Sequence, residues 1–163
     1  MLQDNYLQDN AVERERLRSM VAKLTPEDLQ QSIGHGWTVA AALAHLAYWD
    51  GLVLGWLEEW DAQGIRTASQ LSRWRESLRL EDNNDKMLPA WLAMPVEDVR
   101  RDVLLTTGAL DQALEALDPA FLQTIGATLI SRVGNRPWFV DRAAHRREHL
   151  DEIERHRDRS DIS

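Results

Sequence analysis

The feature that most constrains this chain is a run at residues 39–57 that is apolar on nearly every side and is interrupted only by His45 and Asp50. A helix that is hydrophobic around its whole circumference is either buried at the centre of a protein or spans a bilayer. Gly51 and Gly55 even match the small-xxx-small pattern of closely packed membrane helices. Against a membrane, Ala40, Ala41, Ala42, Ala44 and Ala47 dilute the hydrophobicity, Asp50 sits mid-segment, and no second run of this kind could join it in a bilayer. The run therefore reads as the central, buried helix of an all-helical protein with no membrane partner. Thr38 is placed to cap its start, and Gly64 lies just beyond an end expected near residue 62.

The rest of the chain supplies the helices that would bury it. Leu17, Met20, Val21 and Leu24 follow the i, i+3, i+4, i+7 rhythm and put a first helix at residues 6–24. Thr25-Pro26 caps a new short turn, and Gly34-His35-Gly36 breaks the pattern before Trp37. Residues 65–88 are mixed, with a polar break at Glu81-Asp82-Asn83-Asn84-Asp85, and read as a long crossover with a helical turn or two. Such a length exceeds what a helical hairpin needs and is expected to cap something functional. A further helix is expected from near Asp85, carrying Trp91 up to Met94. Pro95 then opens a third main helix to about residue 117, with Val99, Val103, Leu104, Leu110, Leu114 and Leu117 as its stripe. Asp118-Pro119 caps a short turn. Residues 126–136 read as a loop or brief extended pair, with Thr128-Leu129-Ile130 as the strand-like part. Pro137 opens the last helix, expected at residues 138–156. The expectation is one all-α domain over residues 1–163, a four-helix bundle with a long crossover connection.

Charge narrows the partners. The net charge is −8, from 19 basic and 27 acidic residues, and nucleic acid would repel such a chain unless its bases segregate. Arg142, Arg146, Arg147, Arg155, Arg157 and Arg159 do concentrate near the C-terminus, but they alternate with Asp151, Glu152, Glu154, Asp158 and Asp161. Mixed signs at helical spacing read as a solvated face rather than a phosphate-binding patch, so no nucleic acid is expected. The chain has no Cys, which excludes disulfides, cysteine-ligated zinc and a thiol nucleophile. Met1-Leu2-Gln3-Asp4-Asn5 has no basic segment leading into an apolar run, so no secretory signal is expected and a cytoplasmic location fits.

Three of the five histidines carry chemistry. His35, between glycines, and His156, in the charged tail, are expected at the surface. His145 and His149 are four apart on the last helix and so point nearly the same way, one turn apart. That spacing lets two imidazoles hold one ion in adjacent positions. His45 lies inside the apolar helix, where it is forced inward and must find a partner. The plain alternative is a core histidine hydrogen-bonded to a carbonyl or carboxylate. Three imidazoles from two helices would instead form a facial set with open positions for water or substrate. Neutral ligands leave the ion its full charge, which favours an anionic ligand or hydroxide, and zinc, nickel, iron and manganese all accept imidazole.

The neighbours of these histidines admit several roles. His145-x-x-Glu148-His149 also matches the inverted zincin pattern, which needs a third ligand far downstream. Fourteen residues follow His149, so that reading is expected to fail. Glu148 would flank the site, as base or in a surface salt bridge with Arg142 or Arg155. Asp141 could accept a hydrogen bond from an imidazole and fix its tautomer. Asp50 lies about 140° around its helix from His45 and is expected to pair with a helix, a loop or a neighbouring subunit. Tyr48, Trp49 and Trp56 are expected to line an aromatic pocket beside the ion.

Two stretches carry a family resemblance. Gly36-Trp37-Thr38-Val39 followed by His45-Leu46-Ala47-Tyr48-Trp49-Asp50 resembles the second-helix signature of the DinB/YfiT-like superfamily. His145-Arg146-Arg147-Glu148-His149 followed by Ile153 resembles its last-helix signature. The Trp-rich part of the second helix, residues 52–60, is similar to the ClbS/DfsB-related branch. The resemblance implies a four-helix bundle with a divalent metal held by His45, His145 and His149, and a homodimer, for which Gly51 and Gly55 could let two helices approach. Members include mycothiol-dependent maleylpyruvate isomerase, bacillithiol transferases and the self-protection hydrolase ClbS, so fold does not fix reaction. The function it implies is a metal-dependent transferase or hydrolase acting on a small molecule, with a low-molecular-weight thiol as possible co-substrate. The alternative is a non-catalytic, stress-related protein that binds a metal or ligand.

Overall fold

A computed structural model describes residues 5–79, 83–130 and 136–160. Four long helices carry the architecture: α1 (Tyr6–Lys23), α3 (Val39–Gln63), α6 (Val96–Glu115) and α8 (Ala143–Ser160). They touch in a closed ring, α1 on α6, α6 on α3, α3 on α8 and α8 on α1. Four short helices fill the connections: α2 (Pro26–Gln30), α4 (Ala68–Ser77), α5 (Asn84–Ala93) and α7 (Pro119–Thr128). The fold is all-α apart from a small antiparallel pair, β1 (Ser32–Gly34) and β2 (Trp37–Thr38), that pairs Ser32 with Thr38 and Gly34 with Trp37.

Local chemistry explains most boundaries. The Thr38 hydroxyl accepts from the Ala41 N–H at the start of α3, and Gly64 ends that helix with φ at 66°, a left-handed conformation that glycine adopts without strain. Thr25 with Asp28, and Thr67 with Gln70, form reciprocal capping boxes. The crossover is more helical than its composition suggested: α4 is a ten-residue helix that packs on α7 through the buried Leu71 and Trp74. Thr128 closes α7 instead of starting a strand, and residues 131–135 of that expected loop lie outside the described residues, as do Glu81 and Asp82 of the polar break.

The last helix begins later than expected. Residues 137–140 form a turn, with the Val140 and Asp141 N–H groups donating to the Pro137 carbonyl. The start of α8 is set from across the molecule: Asn10 Oδ1 on α1 accepts from the backbone N–H groups of Arg142 (2.9 Å) and Ala143 (2.8 Å).

The core has two apolar halves. One gathers Leu17, Leu29, Leu43, Leu46, Val103 and Leu150, and the other gathers Val53, Trp60, Leu71, Leu110, Ile125 and Phe139. Between them along α3 and α8 lie buried charges: Asp50, Arg142 and Arg146, joined by Asp111 of α6. By length and composition α3 could cross a membrane, but 61% of its most apolar window is buried inside the protein. A Cβ on Gly51 would meet Thr106 of α6 at 3.6 Å, so this glycine faces a helix of its own chain, while Gly55 is exposed.

Candidate metal centre

The ring of long helices brings α8 against α3, and with it His145 and His149 against His45. One ring nitrogen from each of the three lies within 4.8 Å of the others. His45 Nε2 and His145 Nε2 stand 3.0 Å apart. Two nitrogens bound to one ion at about 2.1 Å each would be about 3.0–3.4 Å apart, so the His45–His145 pair has the spacing of two ligands on one ion, and His149 stands close enough to be the third. The cluster is also incomplete as a hydrogen-bonding unit. Among the described residues four buried side-chain polar atoms lack a hydrogen-bond partner, and two are His45 Nδ1 and His149 Nδ1. Glu152 approaches His149 Nδ1 only to 3.7 Å, beyond hydrogen-bond reach.

Burial sets the protonation state. His45, 4% exposed, is pushed down to about 3, chiefly by desolvation and then by the charge of His149, with Asn84 and Asp50 pulling the other way. Desolvation also holds His145 well below its ordinary value, reinforced by the neighbouring Arg142. His149 is lowered by burial against the opposing pull of Glu148 and Glu152. All three are therefore neutral at pH 7, each with a nitrogen lone pair to offer a cation. Aromatic rings enclose His45: Trp37 and Trp91 stand edge-on to it with centroids 5.5 Å and 5.3 Å away.

The triad lines a cavity of about 420 Å³ whose wall also includes His35, Trp37, Trp49, Asn84, Glu148 and Glu152. The hairpin turn supplies His35, exposed and with φ at 54°. The start of α5 supplies Asn84, whose Oδ1 accepts from Trp49 Nε1 at 3.1 Å, so the crossover does reach the site. Of the aromatic residues expected there, Trp49 lines the cavity and the others do not. Tyr48 packs edge-on against Trp49 and Trp91 and faces a second cavity, and Trp56 belongs to the other core half with Trp74 and Phe139. Trp37 and Trp91 were not singled out. Their signals are that Trp37 follows the glycine break inside the family-like stretch and that Trp91 sits in an apolar stretch.

Three further expectations are corrected. Arg142 and Arg146 are not on a solvated face; they are 1% and 0% exposed. Asp50 Oδ1 accepts from Arg142 Nε at 2.8 Å and Asp50 Oδ2 from Arg146 Nη2 at 2.9 Å, while Asp111 receives two bonds from Arg146. Desolvation would lower Arg146, but Asp50 and Asp111 outweigh it and raise it. This settles the partner of Asp50, and it takes Arg142 away from Glu148, which has no ion pair among the described residues. Asp141 does not orient an imidazole; its Oδ1 accepts from the Ala144 N–H at 3.4 Å. The contact to the triad comes instead from Arg142, whose Nη2 donates to His145 Nδ1 at 3.1 Å.

Comparison with known proteins gives one match: the family model described as the DinB superfamily covers residues 11–153 and singles out no branch. No curated protein and no solved structure matches the chain.

Proposed function

This chain belongs to the DinB superfamily, and from that premise we propose that it is a divalent-metal-dependent enzyme acting on a small molecule, by transfer or hydrolysis, with His45, His145 and His149 as the ligands. The observation that carries this reading is the triad itself: three inward imidazoles, neutral at pH 7, meeting on the wall of a cavity. When bound, the ion would act as a Lewis acid on a water or a low-molecular-weight thiol. The protein's own residues do the rest. His145 and His149 present donors one helical turn apart, His45 closes the set from α3, and Trp37 and Trp91 screen His45 from water. Glu148 and Glu152 are the carboxylates on the cavity wall available to take a proton.

A second reading, a metal- or ligand-binding protein without turnover, draws support from the cavity wall, which among the described residues holds no Ser, Thr, Lys or Cys to act as a nucleophile. Metal-dependent turnover on a panel of thiols and electrophiles separates the two.

The metal assignment is tested by elemental analysis, which also names the ion. Purified protein should carry about one divalent ion per chain, removable by chelator and released as pH falls toward about 5, where protons compete for the imidazoles. His145→Ala/His149→Ala should lose it, and equal metal in that variant would sink the assignment. His45→Gln fills most of the space; a folded variant without metal makes His45 a ligand, and full affinity makes it a core histidine.

A further inference from the structure

We infer that the cavity beside the triad takes a small organic cation, an ammonium group carried on a flat apolar body. The inference rests on the reading above that the triad is the metal-holding end of the cavity, and it concerns what the rest of the wall selects. Two indoles, Trp37 and Trp49, and two carboxylates, Glu148 and Glu152, share that wall, and among the described residues no Lys or Arg lines it. The arginines next to the triad in sequence are committed elsewhere: Arg142 to Asp50, Arg146 to Asp50 and Asp111, Arg147 to Glu13. Among the described residues neither Glu148 nor Glu152 pairs with a Lys or Arg, and Glu152 stands 3.7 Å from His149 Nδ1. The two carboxylates offset the charge of a divalent ion, so an anionic body would gain little by entering.

The wall is more than an acidic surface. His45, only 4% exposed, lines the same cavity, and its Nδ1 has no hydrogen-bond partner. Indole faces attract cations through the ring quadrupole, most strongly where water is excluded. A volume of about 420 Å³ suits a small molecule rather than a peptide.

Benzyltrimethylammonium is the probe, because a quaternary nitrogen cannot ligate a metal. Benzyl alcohol and benzenesulfonate are its neutral and anionic counterparts. Each is titrated into metal-loaded protein and followed by tryptophan fluorescence and calorimetry. The ammonium should bind saturably, about tenfold or more tighter than either counterpart, and Glu148→Gln/Glu152→Gln should weaken it about tenfold. Equal binding of the alcohol or the sulfonate, or unchanged ammonium binding in that variant, overturns the inference. Glu148 is exposed and Glu152 half-buried, so the variants should fold, and the single substitutions serve the same test if the double does not. Elemental analysis of the same samples keeps the two readings apart. Full metal with no preference for the cation overturns this inference alone, whereas preference for the cation in protein that takes up no metal supports it and overturns the metal assignment.

Discussion

Two buried polar clusters share helices α3 and α8, and they are built on opposite plans. Asp50, Asp111, Arg142 and Arg146 form a closed set in which every charge is answered, each aspartate oxygen accepting from an arginine at the heart of the fold. His45, His145 and His149, within one or two turns along the same helices, form an open set with two ring nitrogens left unpartnered and protons held off by burial. A closed cluster has nothing left to bind; its work is to fix how α3, α6 and α8 align. An open cluster is unfinished as structure, and that is what a ligand site looks like from the protein's side. Arg142 belongs to both, donating to Asp50 and to His145.

The strongest way to break this contrast is to open the closed set. Asp50→Asn leaves buried Arg142 without a carboxylate partner and Arg146 with Asp111 alone, and should cost about 3–5 kcal/mol in urea unfolding, far more than His45→Gln in metal-free protein. If the two substitutions cost the same, the clusters do not differ as described.

Acid should separate them next. In the unfolded chain a histidine takes its proton near pH 6.5, whereas burial holds folded His45 to about 3. Below pH 6.5 the unfolded chain binds more protons, so the contribution of His45 is fully present above 6.5 and is lost progressively as pH falls toward 3. By pH 5.5 this amounts to about 1.4 kcal/mol. With chelator present, the stability of wild type should therefore fall relative to His45→Gln between pH 6.5 and 5.5, before carboxylates titrate. Parallel curves across that interval would contradict a neutral His45.

The smallest effect probes the rim of the closed set. Arg14, 34% exposed, donates to Asp111 Oδ2 at 2.7 Å, but Asp111 keeps its two bonds from Arg146. Arg14→Gln should cost less than about 1 kcal/mol by thermal melting. A loss as large as that of Asp50→Asn would make Arg14 a member of the core network.

The amino-acid sequence by itself determined the helical fold and the triad. Thr38, Gly64 and Pro95 mark helix ends through bonds and backbone angles that involve only near neighbours. The four-residue spacing of His145 and His149, and the apolar surroundings of His45, point the three rings inward for the same local reason. Tertiary structure alone decided which charges went inside. Arg142 and Arg146 stand in a stretch where acids and bases alternate, and locally that pattern is the same whether a residue meets water or a carboxylate from another helix. Their burial depends on Asp50 and Asp111, 92 and 35 residues away from them in sequence, and the start of α8 depends on Asn10, 132 residues from Arg142. Periodicity reports the face a residue occupies on its own helix, but a buried charge is tolerated only where a distant partner answers it, and that pairing exists only once the helices are packed.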